Sequence, residues 1–340
     1  ETTNTRQHVG LFDLSSFAKF EIIGSNSFND LQRLCCNEIS KTNGKTTYTQ
    51  MLNTRGGIVA DLTITCVNEN NFKIITGSAV RTHDKKHILK YLSEDTKFID
   101  NTENEACFGI FGPKSRELLS EVFGNYFSSN DFKFGTGKII KYNEMELWFQ
   151  RLSYIGELGW EIYIPINISR EVYLKIISVE KKFNLVHAGA HALDIMRMEK
   201  GFLHWGHDIS PAENPFEAGL DFTVKLNKNV DFIGKNSLIS KNRVKKKQFI
   251  NFVLENSEPG KPLMLHDEPI YYKNKIVGET TSSNFSFNYN KNMVFGYIDI
   301  ELDINDLNGS KFKVEVAKNM YEMQIQFDSL HDPKNKYTKL

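Results

Sequence analysis

The sequence predicts an α+β protein that ends in a small antiparallel β-barrel or sandwich. Three observations carry this. Period-two and helix-period stretches are mixed through the first 227 residues. Asn227-Lys228-Asn229 and then a polar, basic stretch over 241–247 break the texture and read as a linker. Beyond it, short strands with Gly and Pro turns follow one another closely, the pattern of a barrel or sandwich.

The elements follow in order. Val9-Gly10-Leu11-Phe12-Asp13-Leu14-Ser15 leads into the fold. In 17–23, Phe17, Lys19 and Glu21 alternate with Ala18, Phe20 and Ile22, a strand. Phe28, Leu31, Leu34 and Cys35 share one side of a helix over 28–35. Segments 46–52 and 58–66 are strands separated by the glycine turn Arg55-Gly56-Gly57, and 72–76 is another. Helices are expected at 83–92 and 115–122. Strands at 145–152 and 160–164 flank Gly156-Glu157-Leu158-Gly159. The strongest helix spans 188–200, with Gly201 as its C-cap. After the linker, strands are expected at 249–254, 269–272, 275–279, 294–299, 311–316 and 322–327.

A length of 340 residues suits two or three domains. The chain is 40% hydrophobic and 25% charged, values of a globular protein. Lys plus Arg and Asp plus Glu are both 42, which supports neither a nucleic-acid nor a membrane-surface partner. No apolar run approaches the ~20 residues that span a bilayer. Cys35, Cys36, Cys66 and Cys107 form no framework, which suits a reducing compartment, the cytoplasm or a mitochondrial matrix. The first residue is Glu1 and no signal-peptide pattern follows, so a processed chain or a piece of a longer one is expected. Asn-x-Ser matches at Asn167, Asn284 and Asn308 read as chance. Lys245-Lys246-Lys247 reads as a solvated strand lead-in rather than an anion patch.

Two strands carry an acid on a face that the core does not need. In 58–65, Ile58, Ala60, Leu62 and Ile64 form an apolar face, while Val59, Asp61, Thr63 and Thr65 form the other. A carboxylate is disfavoured inside such a strand, so Asp61 faces either water or a polar cavity. In 160–164, Trp160, Ile162 and Ile164 share one face, and Glu161 and Tyr163 the other. A carboxylate beside a phenol suits a flat heterocycle with ring N–H and amino donors, although an exposed sheet face would look the same.

Other patterns carry less. His204-Trp205-Gly206-His207 offers two metal ligands where zinc needs three or four, so local hydrogen bonding after a helix end is expected and no metal is assigned. His83-Asp84 resembles half of a triad, but no nucleophile elbow accompanies it. Gly109-Ile110-Phe111-Gly112-Pro113 is neither a dinucleotide fingerprint nor a P-loop. Asp194 and Arg197 at i,i+3 suit a structural pair, and Arg197 could also reach into a cleft.

Taken in order, several segments resemble one family. They are 9–15, Tyr48-Thr49-Gln50-Met51-Leu52-Asn53, 56–63, 109–116, Tyr154-Ile155-Gly156-Glu157-Leu158-Gly159-Trp160-Glu161-Ile162 and Arg197-Met198-Glu199-Lys200-Gly201. Trp205-Gly206-His207-Asp208-Ile209, 214–220, 231–235 and 277–282 continue the match. The set is similar to the aminomethyltransferases (glycine-cleavage T-proteins), closest to the folate-binding C-terminal half of dimethylglycine and sarcosine dehydrogenases.

The resemblance implies a three-lobed ring of mixed α/β lobes with a C-terminal antiparallel β-barrel and folate in the central hole. It implies a folate-binding domain over 1–227, in two lobes (1–45 with 136–227, and 46–135), and a barrel domain over 228–340. It implies tetrahydrofolate as cofactor and Asp61 as catalytic acid/base. Glu161 would hold the pterin, with Tyr163, Tyr48, Thr63, Gly77 and Arg197 at the site.

The implied activity is one-carbon transfer at the formaldehyde level, giving 5,10-methylenetetrahydrofolate from an imine or formaldehyde derived from a methylated amine. FAD would lie only on a partner or missing domain, so this chain alone is not expected to oxidise an amine. A flavin oxidoreductase domain or subunit is the implied partner. A non-catalytic folate-binding or regulatory module is the alternative. Two residues depart from the T-protein pattern: Leu193 stands where those proteins carry arginine, and Ala60 replaces the first of two adjacent acids. The family's usual segment ahead of Val9 is not present in the sequence.

Overall fold

The computed structural model describes residues 1–240, 246–256, 258–299, 307 and 311–340. Residues 241–245 of the expected linker and the Asn308 match lie outside the described residues, while Lys228 in its first part is buried, its ammonium donating to the Gln32, Cys35 and Asn37 carbonyls, so that part is packed structure rather than linker.

The first part of the chain runs α1 (Thr2–Gln7), β1 (Val9–Asp13), β2 (Ala18–Ile23), α2 (Ser27–Leu34), β3 (Thr46–Leu52), β4 (Ile58–Asn68) and β5 (Asn71–Thr76). It continues with α3 (Arg81–Leu89), β6 (Lys97–Asp100), β7 (Glu105–Phe111), α4 (Ser115–Phe123), β8 (Thr136–Tyr142), β9 (Met145–Arg151) and β10 (Gly159–Pro165). Then come α5 (Ser169–Ile177), α6 (Glu180–Phe183), β11 (Leu185–Ala188), α7 (Ala190–Glu199) and α8 (Lys235–Ile239). The last part is β12 (Lys247–Leu254), β13 (Pro269–Tyr272), β14 (Lys275–Ser286), β15 (Lys291–Asp299), β16 (Phe312–Val316) and β17 (Asn319–Ile325).

These strands form two open sheets and a closed barrel. The first sheet has the order β11-β1-β7-β10-β9-β8, the second β3-β4-β5-β2-β6, and the barrel β12-β15-β14-β13-β16-β17. Barrel pairings are antiparallel throughout, so the C-terminal expectation resolves as a closed barrel rather than a sandwich.

The lobe boundaries expected at 45 and 135 need correction. β2 belongs to the second sheet, pairing from Ala18↔Thr76 to Ile23↔Asn71, and α2 packs on that sheet too. β7 belongs to the first, inserted between β1 and β10. The chain therefore changes sheets between 13 and 18 and again between 100 and 105. Strand pairing decides membership, and nothing in the local periodicity of either strand announces its partner.

Each sheet packs one face against helices. On the first, Val9, Ile110, Trp160, Ile162 and Ile164 meet Leu118, Leu119, Val172 and Ile176 of α4 and α5. On the second, Phe20, Ala60, Leu62, Ile64 and Ile74 meet Leu31, Leu34 and Ile88 of α2 and α3. The opposite faces meet each other. Phe12, Cys107, Phe111 and Tyr163 of the first sheet share a buried cluster with Ile75 of the second and with Ala192 and Met196 of α7. A further cluster ties Leu52, Ile58 and Met198 to Met293 and Phe295 of the barrel. The faces that carry the two acids are thus turned inward, toward the junction of the three bodies.

Helix α7 ends as its sequence directs. Gly201 takes φ +77°, its N–H donates to the Met198 carbonyl at 3.0 Å, and the Phe202 N–H donates to the Arg197 carbonyl at 2.9 Å. This pair of bonds closes the helix in a Schellman motif, which L residues with a Cβ resist. No helix among the described residues is long and apolar enough to cross a membrane.

Candidate functional site

Asp61 sits mid-way along β4 and is half-buried. Antiparallel register places Gln50 of β3 directly opposite it and Tyr48 opposite Thr63. With a period of two, Tyr48, Gln50, Asp61 and Thr63 share the face that looks away from the α2–α3 core. Gln50 Nε2 donates to Asp61 at 2.8 Å. Its orientation is set because its oxygen accepts from Thr223 Oγ1 at 2.5 Å. The Tyr48 hydroxyl lies on the same face, close enough to favour the charged carboxylate.

Burial pushes the Asp61 carboxyl up to about 6; Gln50 and Tyr48 pull the other way, and the nearby Asp84 charge adds to the rise. Such a group holds and releases a proton near neutral pH, which is what a general acid/base needs. Tyr48 stacks on Phe222, ring centroids 6.3 Å apart. Tyr154, on the loop ahead of β10, lies within electrostatic range of Asp61 and donates to the Leu203 carbonyl at 2.8 Å.

Glu161 is in the centre of the first sheet, opposite Gly109 of β7 and Gln150 of β9. It is only 6% exposed, so the exposed-face reading is wrong for this strand. Its face is covered by the second sheet and α7, an arrangement no local alternation can report. The Tyr163 hydroxyl donates to it at 2.6 Å. Burial pushes Glu161 up to about 7 against that bond, while burial and the Glu161 charge push the Tyr163 phenol well above its usual range. Lys73 lies over the Tyr163 ring at 4.7 Å.

One neighbour is incomplete. Gln150 is fully buried, and its oxygen accepts from Trp148 Nε1 at 3.1 Å. Its amide nitrogen has no hydrogen-bond partner. A buried donor without an acceptor is costly, about 1–3 kcal/mol, and is met by a water or by a ligand atom.

The remaining expected site residues are spread around these two acids. Thr63 is half-buried beside Tyr48. Gly77 is exposed at the end of β5, next to Thr76, whose hydroxyl donates to Asp84. Arg197 makes the i,i+3 pair with Asp194 that the sequence suggests. It is buried, and donates to Asp194 at 2.8 Å, to the Phe202 carbonyl at 3.0 Å, to Asp208, and to Ser282 of the barrel at 2.9 Å. Asp61 and Glu161 have separate partners and do not bond each other. Gln50, Gln150 and Tyr154 were not singled out from sequence. Gln50 shared a strand face with Tyr48 and could have been found by the same alternation; the other two depend on pairing and loop placement.

Two open sheets joined through their inner faces carry a closed six-stranded barrel docked on them, and this architecture has its match among known proteins. The "GCVT N-terminal domain" model matches residues 1–228, and the "Glycine cleavage T-protein C-terminal barrel domain" model matches 247–332. A solved aminomethyltransferase T of the glycine cleavage system from Bartonella henselae superposes with a TM-score of 0.84 at 22% identity, covering 96% of this chain and 87% of that one.

Mitochondrial dimethylglycine dehydrogenase of Rattus norvegicus is 34% identical over 96% of this chain and 38% of its own length. Mitochondrial sarcosine dehydrogenase of Homo sapiens is 31% identical over 98% and 38% respectively. The chain therefore spans about two-fifths of these relatives. An aminomethyltransferase from Halothermothrix orenii is 28% identical over 86% of this chain and 81% of its own. The chain belongs to the glycine-cleavage T-protein (aminomethyltransferase) family.

Proposed function

We propose that this chain binds tetrahydrofolate and loads onto it a one-carbon unit at the formaldehyde level, as the folate part of an amine-demethylating system. The observation that carries the reading is the inward-facing Asp61, held by Gln50 beside Tyr48, with its carboxyl raised by burial to about 6.

The donors and acceptors present fit a reduced pterin. Glu161 offers two acceptor oxygens for a ring N–H and an amino group, and the unpartnered amide nitrogen of Gln150 offers a donor for a ring carbonyl. Tyr163 orients Glu161, and Tyr48 and Thr63 line the Asp61 side. Bound tetrahydrofolate would supply the amine nitrogens that carry the carbon. Asp61 would take the proton that such a nitrogen loses on attack, help typically worth ~10²–10⁴-fold in rate. Relatives named as dimethylglycine and sarcosine dehydrogenases motivate a methylated amine as the carbon source and a flavin-bearing domain or subunit as its supplier.

Asp61→Asn keeps the shape and the Gln50 contact but cannot accept the proton. With carbon supplied by a flavoprotein partner's imine or by formaldehyde above the uncatalysed background, its turnover is expected to fall ~10²–10⁴-fold with folate still bound. Unchanged turnover overturns the reading.

A second reading, a folate-binding regulatory module, is favoured by one relative. The pyruvate dehydrogenase phosphatase regulatory subunit of Mus musculus is 31% identical over 86% of this chain. Folate binding without turnover beside any flavoprotein would select it.

A further inference from the structure

Gln150 stands on the same face of the first sheet as Glu161, and its amide is already oriented. In antiparallel register Gln150 of β9 pairs with Glu161 of β10, and Trp148 with Tyr163. With a period of two, all four side chains share the inner face. Trp148 packs there against the cluster that holds Phe12, Tyr163 and Met196.

An amide side chain is free to turn over and exchange its oxygen for its nitrogen unless a neighbour decides between them. Here one does. An indole nitrogen only donates, and Trp148 Nε1 donates to Gln150 Oε1 at 3.1 Å. The oxygen is thereby committed to Trp148. The indole reaches this place because Gly137 of β8 stands opposite Gln150. A Cβ on Gly137 would lie 2.4 Å from the Trp148 ring, so the missing side chain is the space the ring occupies.

The outcome is a row of fixed hydrogen-bonding sense. The Tyr163 hydroxyl uses one lone pair of the Glu161 carboxylate, and both of its oxygens can still accept. Beside it is the Gln150 amide nitrogen, buried and without a partner in the protein. The row reads acceptor, acceptor, donor. One edge of a 2-amino-4-oxopteridine reads donor, donor, acceptor: the amino group, the N3–H and the C4 carbonyl. A 2,4-diaminopteridine has a bare N3 and an amino group at C4. Its edge reads donor, acceptor, donor, and two of the three positions then clash.

We propose that Trp148 and Gln150 make this site selective for 4-oxopteridines over 4-aminopteridines. Gln150 is the specificity-determining donor, and Trp148 is the residue that positions it. The inference rests on the proposed seating of the pterin at Glu161. Repulsion contributes as much as attraction, since an amino group at C4 sets two buried donors against each other and leaves both unpaired. Sites that hydrogen-bond one ligand atom reject an analogue lacking it far more strongly than apolar pockets do.

The test is calorimetric binding of tetrahydrofolate and of its 4-amino analogue, both kept reduced under argon, to the full chain. The measurement is made at pH 8, above the Glu161 midpoint of about 7. Wild type is expected to favour tetrahydrofolate by ~10²-fold or more. Trp148→Phe keeps a ring over Gly137 but frees the amide to present its oxygen. Gln150→Leu removes the donor. Each is expected to bring the two affinities within about tenfold of one another.

Equal binding of the two ligands by wild type overturns the proposal, and that result needs no variant to fold. A preference that survives intact in Gln150→Leu overturns it too, and is the outcome if the amide nitrogen meets only water. Binding without preference ends the role of Gln150 and leaves the folate reading standing. Binding of neither pteridine ends both.

Discussion

An ionisable side chain held away from water keeps its charge only against a penalty, and both inward acids carry one. Burial raises Glu161 from the usual 4.5 to about 7, with a single bond from Tyr163 opposing. An acid whose folded pKa lies above its unfolded one binds more protons in the native state. Its ionisation therefore lowers stability as pH rises from about 4.5 through about 7, and the full penalty stands above that. Glu161→Gln removes the charge and keeps an acceptor for Tyr163. It is expected to stabilise the chain at pH 8 on the order of 2–3 kcal/mol and hardly at all at pH 4. Paired thermal melts at the two pH values check the sign, and the same variant should bind folate more weakly. For Asp61→Asn the expected loss is in turnover rather than binding. The faces of both acids were legible in the sequence, because alternation needs only the residues of one strand. Their burial was not, since the cover comes from another sheet and from α7.

At the scale of elements, α7 and β14 meet along a polar seam. Arg197, Asp194 and Glu199 on the helix bond Ser282, Asn284 and Ser286 on the strand, each two residues after the last. This explains a shortfall in the sequence reading, which ended the strand at 279 where it runs on to Ser286. Thr280-Thr281-Ser282-Ser283-Asn284 lacks the apolar alternation that marks a strand, because its partners are charged side chains on a helix. Expected helices and strands elsewhere lie within a few residues of those found, as at 115–122 against Ser115–Phe123. Arg197→Met would leave Asp208, fully buried, without its cation. Removing one member of a buried pair typically destabilises by ~3–5 kcal/mol. A lowered denaturation midpoint is expected, since Asp194 and Ser282 are also deprived of the guanidinium they bond. A midpoint equal to wild type would show that the seam does not hold the barrel to α7.

The whole molecule is closed by a second set of buried charges. Arg6 of α1 bonds Glu157 at 3.0 Å and Glu199 at 2.6 Å, while the other oxygen of Glu199 accepts from Ser286 and Asn288 of the barrel. Lys200 pairs with Asp332 on the final segment. Three bodies are thereby fixed around the junction toward which both acids point. The barrel itself was legible as short, closely spaced strands, whereas the exchange of β2 and β7 between sheets was not. The most direct measurement is a crystal structure of this chain with tetrahydrofolate bound. The expected result has the pterin against Glu161 and Gln150, with the carbon-accepting nitrogens toward Asp61. Folate held anywhere else, or a pterin ring in place with those nitrogens facing away from residue 61, would contradict it.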